Sequence, residues 1–272
     1  MKKMILLAVL ALGVTAAHAD AFSRVKPVQF GIGVNVGTNG VGVDASLGLT
    51  RFLQIRGGYT FVPKHESEYE ADIYNDANVI INTWNMASPD LAIPMLPDET
   101  PVIIQPNLST AHLLLDLYPG RTFHFTVGAY FGQEDVLHAW NTEKELTKGV
   151  YLANQCIDRL NPVLADYTTI HHLGVQMGDY LFTPNENGDI QGEARVKKIR
   201  PYVGIGFGRA VPRKSRVACS LDLGVQYWGK PTYYCNGEEV EAADLDAKSY
   251  IKTATTLPVY PVLTFRICGR IF

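Results

Sequence analysis

Apolar and polar side chains alternate one by one in eight separate stretches of this chain, the two-residue period that puts successive side chains on opposite faces of a β-strand. In residues 28–36, Val28, Phe30, Ile32, Val34 and Val36 share one face, and Gln29, Gly31, Gly33 and Asn35 the other. Thr38-Asn39-Gly40 is a tight-turn sequence. After it, Val41, Val43, Ala45, Leu47 and Leu49 oppose Gly42, Asp44, Ser46, Gly48 and Thr50. A third run sets Leu53, Ile55, Tyr59 and Phe61 against Gln54, Arg56, Gly58 and Thr60. The other five lie near residues 112–118, 123–131, 202–208, 217–227 and 259–271 and follow the same rule.

The composition of the second face separates two all-β architectures. A soluble sandwich turns that face to water and fills it with Lys and Glu, whereas here it is rich in Gly, Ser, Thr, Asp and Arg. Small residues suit the narrow lumen of a closed barrel. The first face carries almost no charge, as lipid contact requires. The expected fold is therefore an antiparallel transmembrane β-barrel of eight strands.

Connection lengths agree with this reading. The connections near Thr50, Pro119-Gly120-Arg121 and Pro212-Arg213-Lys214 are short, and residues 63–108, 132–198 and 229–257 form long ones. Outer-membrane barrels pair short periplasmic turns with long extracellular loops in this way. Within the longest loop, residues 178–183 and 192–196 flank Asn185-Glu186-Asn187-Gly188 and read as a hairpin. Its insertion would make ten strands, against which stand the charges of Glu193, Arg195, Lys197 and Lys198. Segments 134–146 and 238–252 have helix-like composition.

The N-terminus changes the picture of where the chain works. Lys2 and Lys3 precede an apolar run over residues 4–14, and Ala17-His18-Ala19 precedes Asp20, the layout of a secretory signal peptide with cleavage at Ala19-Asp20. Residues 1–19 are read as that signal and 20–272 as one barrel domain. Without the signal the chain holds 22 Lys and Arg against 27 Asp and Glu, which argues against nucleic acid as a partner. No later apolar stretch approaches the ~20 residues of a spanning helix.

Alternation places Asp44, Arg56, Asp116, His124, Asp222, Arg266 and Arg270 in the lumen. Pairing among them would satisfy charges withdrawn from water; a proton or ion path is the functional alternative. Tyr59, Phe61, Phe131, Tyr227 and Trp228 near one end, and Phe123 and Phe272 near the other, fit interfacial aromatic girdles. Of the four cysteines, Cys156 and Cys235 fall in outer loops as a candidate disulfide, while alternation turns Cys219 to lipid and Cys268 to the lumen. Adjacent His171 and His172 make a poor metal pair, and no metal or cofactor is expected. His138, His171 and His172 are the candidate bases of a lipid-modifying enzyme, for which no nucleophile stands out. Gly31-Ile32-Gly33 and Gly204-Ile205-Gly206 lack the following helix that a nucleotide site needs.

The chain ends in Arg266-Ile267-Cys268-Gly269-Arg270-Ile271-Phe272. With LLLDLYPGRTFHFTVGAYFG at 113–132 and PYVGIGFGRAVPRKSRVACSLDLGVQYWGK at 201–230, it resembles the small outer-membrane β-barrel proteins of Bacteroides-type Gram-negative bacteria. The resemblance implies an outer-membrane location, contact with membrane lipid, and a C-terminal strand presented to the barrel-assembly machinery. It implies no activity. In the usual terminal strand the residue two before the last faces lipid; here it is Arg270, so either Phe272 leaves the pleat or the facing of this strand is reversed. The expected function is a non-enzymatic barrel displaying large loops for interaction or envelope integrity, its surface ligand unknown. The alternatives are an outer-leaflet lipid-modifying enzyme and a narrow channel.

Overall fold

The computed structural model describes residues 29–74, 86, 98–164, 171–177, 179–213, 215–242 and 256–271. The signal segment, its cleavage point and Phe272 lie outside the described residues. Eight strands, β1 (Gln29–Gly37), β2 (Gly40–Gly48), β3 (Leu53–Phe61), β6 (Thr110–Leu117), β7 (Phe123–Gly132), β12 (Ile199–Phe207), β13 (Val217–Tyr227) and β16 (Val259–Arg270), form the lower part of the molecule. They close in the order β1-β16-β13-β12-β7-β6-β3-β2, every pair antiparallel. Closure leaves no edge with unpaired backbone groups, the condition for standing in hydrocarbon.

The register carries the alternation round the barrel. Val34, Val43, Leu113, Val127, Val203, Leu223 and Leu263, one from each of seven strands, point outward and are 41–58 % exposed. A belt of this kind around the whole perimeter far exceeds the few-hundred-Å² apolar patch of a water-soluble monomer. Arg266 is buried while Phe265 and Ile267 beside it are exposed, so the facing of the last strand is the one its alternation gives.

The long connections are not loops. Their strands β4 (Ser67–Tyr74), β5 (Glu99–Pro106), β8 (Asp135–Asn141), β9 (Gly174–Met177), β10 (Tyr180–Phe182), β11 (Gln191–Arg195), β14 (Thr232–Cys235) and β15 (Glu238–Glu239) form a second sheet, ordered β10-β9-β4-β5-β8-β11-β14-β15. Five of these strands prolong the barrel wall: β3 leads into β4, β5 into β6, β7 into β8, β11 into β12 and β13 into β14. The opposite side of the rim is low, because β1 and β2 are joined across Thr38-Asn39. A bridge between Tyr180 and Ala242 draws the two edges of the upper sheet together.

This sheet encloses its own apolar core, in which Val102, Val136, Val175, Tyr180, Phe182, Ala194, Val196 and Tyr233 are buried. Glu68, Glu70, Asp72 and Glu99 face outward. A helix, α1 (Lys144–Leu164), seats Val150 and Ile157 against Ile73 and Leu173 at the far end of β4. Asn154 fastens it, donating to Leu173 O at 2.8 Å and accepting from Leu173 N at 2.7 Å.

Two expectations for this region are corrected. Residues 178–196 do not form one hairpin: β10 pairs with β9, and β11 lies between β8 and β14. The reason is local, since the Asn185 carboxamide oxygen accepts from Asn187 N and Asp189 N, and Gly188 takes φ +78°, turning the chain across the sheet instead of back on itself. These strands stay out of the barrel, which has eight strands and not ten. The helix covers Lys144–Leu164, whereas 135–141 is strand because β5 and β11 flank it on both sides; of segment 238–252, residues 238–239 are strand and 243–252 lie outside the described residues.

Candidate functional site

The lumen of the barrel is the place where polar chemistry concentrates, and it is built in layers. Near the short-turn end, residues 208–212 fold inward and stop the opening, with Ala210 and Val211 almost wholly buried. Val211 N donates to Gln54 Oε1 at 3.0 Å, and Gln54 Nε2 donates back to Val211 O at 3.2 Å. Ala210 N donates to the Tyr118 hydroxyl at 3.1 Å. Arg209 ties all three short turns together: Nε donates to Arg121 O at 2.8 Å, Nη2 to Arg51 O at 3.0 Å, and the guanidinium lies 4.3 Å over the Tyr118 ring.

Above the stopper lies the charge layer. Arg56 meets Asp116 at 2.8 Å and Asp222 at 3.0 Å; His124 Nε2 lies 2.7 Å from the second oxygen of Asp222, and Thr126 donates to Asp116 at 2.8 Å. Arg266 pairs with Asp44 and donates to Ser46 Oγ at 2.6 Å and Ala210 O at 3.1 Å, while Asn35 donates to Asp44 at 3.0 Å. Glycine makes this crowding possible: a Cβ on Gly206 would come within 2.5 Å of His124 Nε2 and 2.6 Å of Asp222 Oδ1, and one on Gly33 within 2.8 Å of Arg266 Nε. The glycine pairs of the sequence thus clear space for larger side chains and frame no phosphate site.

A third layer of Leu114, Tyr130, Tyr202 and Val262 closes over the ions, with the two tyrosine rings edge to face at 5.4 Å. On the β1–β2 side a narrow cavity of about 20 Å³ runs from Asn39 and Gly40 at the rim down to Asp44, touching Asn35, His112 and Tyr202. Its size suits a water molecule and not an organic ligand. Asn35 Oδ1 and His112 Nδ1, buried without a hydrogen-bond partner, border it.

Of the seven lumen charges anticipated, six meet in this layer. Arg270 does not: it stands at the turn-end mouth and donates to Pro212 O at 3.3 Å and Arg213 O at 2.7 Å, bracing the stopper. Tyr59, Phe61, Phe131 and Tyr227 are exposed on the outer surface near the upper rim. Phe123, at the lower rim, is half-buried between Phe125 and Phe207. Trp228 leaves the girdle, packing at 4.8 Å on Tyr260 and against the upper core, because Leu257 O accepts its indole N–H.

Cys156 and Cys235 are both free thiols: the first is exposed, the second buried with its Sγ 3.3 Å from Thr183 O. Burial pushes the Cys235 thiol up to about 11. Cys219 is exposed and Cys268 buried, on opposite faces. His172 lies 2.7 Å from Asp158 on the open surface of α1, and His171 stacks edge-on against Tyr74. On the outer face of β5, a hydrogen bond shared with Glu70 raises the pKa of Glu99.

No protein-family model matches the chain, and no curated protein matches it. Solved structures similar to it include two outer-membrane proteins of one bacterium. The crystal structure of Acinetobacter baumannii CarO2 shares 15 % identity over 90 % of this chain and 100 % of its own, with a TM-score of 0.45. That of Acinetobacter baumannii CarO shares 13 % over 88 % and 96 %, with a TM-score of 0.42. Similarity this low says nothing about activity, and neither structure bears on the resemblance to Bacteroides-type barrels.

Alternation faces Gln54 and Tyr118 inward, but it does not reveal the inward turn they anchor or the role of Arg209 in holding it. The available signal is the small-residue stretch Gly208-Arg209-Ala210-Val211-Pro212, compact enough to enter a barrel mouth.

Proposed function

We propose that the protein is a non-enzymatic barrel of the Gram-negative outer membrane that holds a folded β-domain at the cell surface, with its short turns toward the periplasm. The observation that carries this reading is the filled lumen beneath the upper sheet. The stopper, the ion layer and the aromatic layer fill the barrel, and the strands that leave it build a compact domain with its own core. A barrel filled in this way serves as a rigid anchor, and recognition falls to what it carries. The outer face of the upper sheet supplies that surface, including Arg195 stacked at 4.1 Å on Tyr234 and bridged at 2.8 Å to Asp135.

The test has two arms. Purified mature protein requires detergent and runs faster unboiled than boiled, and reconstituted in a planar bilayer it shows no conductance steps. Solubility in plain buffer overturns the membrane reading; sustained conductance overturns the anchor in favour of a channel.

A further inference from the structure

The charge of this chain is divided between the two ends of the barrel. Residues 63–108, 132–198 and 229–257 hold 23 of the 27 Asp and Glu but only 10 of the 24 Lys and Arg. The three short connections at 49–52, 118–122 and 208–216 hold six Lys and Arg and not one Asp or Glu. Arg51, Arg121, Arg213 and Arg216 in these connections are exposed. Arg209, which holds the connections together, is buried and spent on backbone carbonyls.

The exposed guanidiniums stand at a defined level. Arg51 lies 4.3 Å over the ring of Phe52, itself an outward-facing aromatic at the base of β3. Arg216 immediately precedes Val217, the first outward residue of β13. Arg121 is two residues before Phe123. Arg51, Arg121 and Arg216 thus sit just below the last apolar side chains of the belt, the height at which headgroup phosphates meet the hydrocarbon, with Arg213 on the turn between them. Burial and the neighbouring Arg51 guanidinium lower the pKa of Arg213, a mark of like charges held close together.

We propose that the short turns form a binding surface for the phosphodiester headgroups of anionic glycerophospholipids in the leaflet they face. Guanidinium is the side chain best matched to phosphate oxygens, through paired N–H donors, and basic residues at a bilayer surface favour anionic lipid. The inference rests on the barrel reading given above.

Native mass spectrometry of the mature protein released from micelles doped with equal phosphatidylglycerol and phosphatidylcholine of identical chains tests it. Roughly tenfold enrichment of phosphatidylglycerol is expected. It falls to near parity in R51Q/R121Q/R213Q/R216Q, persists in part in the corresponding lysine variant, and is unchanged in K144Q/K148Q/K230Q at the other end. Excess inorganic phosphate does not displace the lipid. Equal retention of the two lipids, an unchanged preference in the glutamine variant, or displacement by free phosphate overturns the proposal. Where the glutamine variant does not fold, the wild type at 0.5 M salt decides, since a preference that survives screening is not electrostatic. A protein soluble without detergent removes the barrel reading itself, while lipid indifference in a heat-modifiable protein removes only this one.

Discussion

Val102 and Leu113 lie eleven residues apart on one continuous wall, yet Val102 points into a core and Leu113 points out of one. The upper sheet puts apolar side chains inside and Glu68, Glu70 and Asp72 outside; the lower barrel puts Arg56, Asp116 and Asp222 inside and a belt of Val, Leu and Phe outside. Both regions share strand direction and pairing and differ only in which set of alternate residues is apolar. What surrounds each region, water or lipid, therefore decides what its interior must be, and buried ions become tolerable only where the interior is small enough for them to meet.

Five experiments probe this contrast. The first and heaviest blow is Arg56→Ala, which leaves Asp116 and Asp222 buried without their cation and costs about 3–5 kcal/mol; the urea midpoint of the heat-modifiable band reads it. Arg195→Ala in the exposed cluster of the upper sheet leaves that midpoint in place, and equal effects would refute the difference between the two charge clusters. Next, Phe182→Ala should cost about 3–5 kcal/mol within the upper core, seen as protease cleavage of the surface domain while the barrel band keeps its shift. If the band collapses as well, the two cores are not separable.

Leu223→Arg, in the middle of the outward belt, should cost about 2–4 kcal/mol in bilayers and far less in detergent; Glu68→Arg, outward on the upper sheet, should be neutral in both. Gly206→Ala, forced against His124 and Asp222, should cost about 1–3 kcal/mol, whereas Gly57→Ala, whose added carbon meets nothing nearer than 3.7 Å, is tolerated. The smallest effect is chemical. At pH 7–8 a maleimide modifies Cys156 and spares Cys235, whose thiol stays protonated until the pH nears about 11; rapid labelling of Cys235 in the folded protein would contradict its burial.

The barrel was legible in the sequence because lipid on one side and a tight lumen on the other enforce strict alternation; all eight runs fall on the eight strands. The ion layer followed from the same facing. Arg270 has the right facing and the wrong height, which alternation cannot measure. The upper sheet was not legible as a sheet. β10 is three residues long, β11 pairs with segments as remote in sequence as β8 and β14, and Ile103 and Trp140 break the polarity of the outward face. Helix α1 did leave a trace, since Leu146, Val150, Ala153 and Ile157 recur at helical spacing and all pack on the same cluster.

The inward turn at residues 208–212 also constrains the order of events as the barrel forms. It belongs to the wall between β12 and β13, yet three of its contacts, Arg266 to Ala210, Cys268 to Arg209 and Arg270 to Pro212, come from the final strand. The floor and the last seam therefore share contacts, and a chain lacking its terminal strand would lose its ring together with part of the hold on its floor. No dedicated stopper segment has to find its way in afterwards.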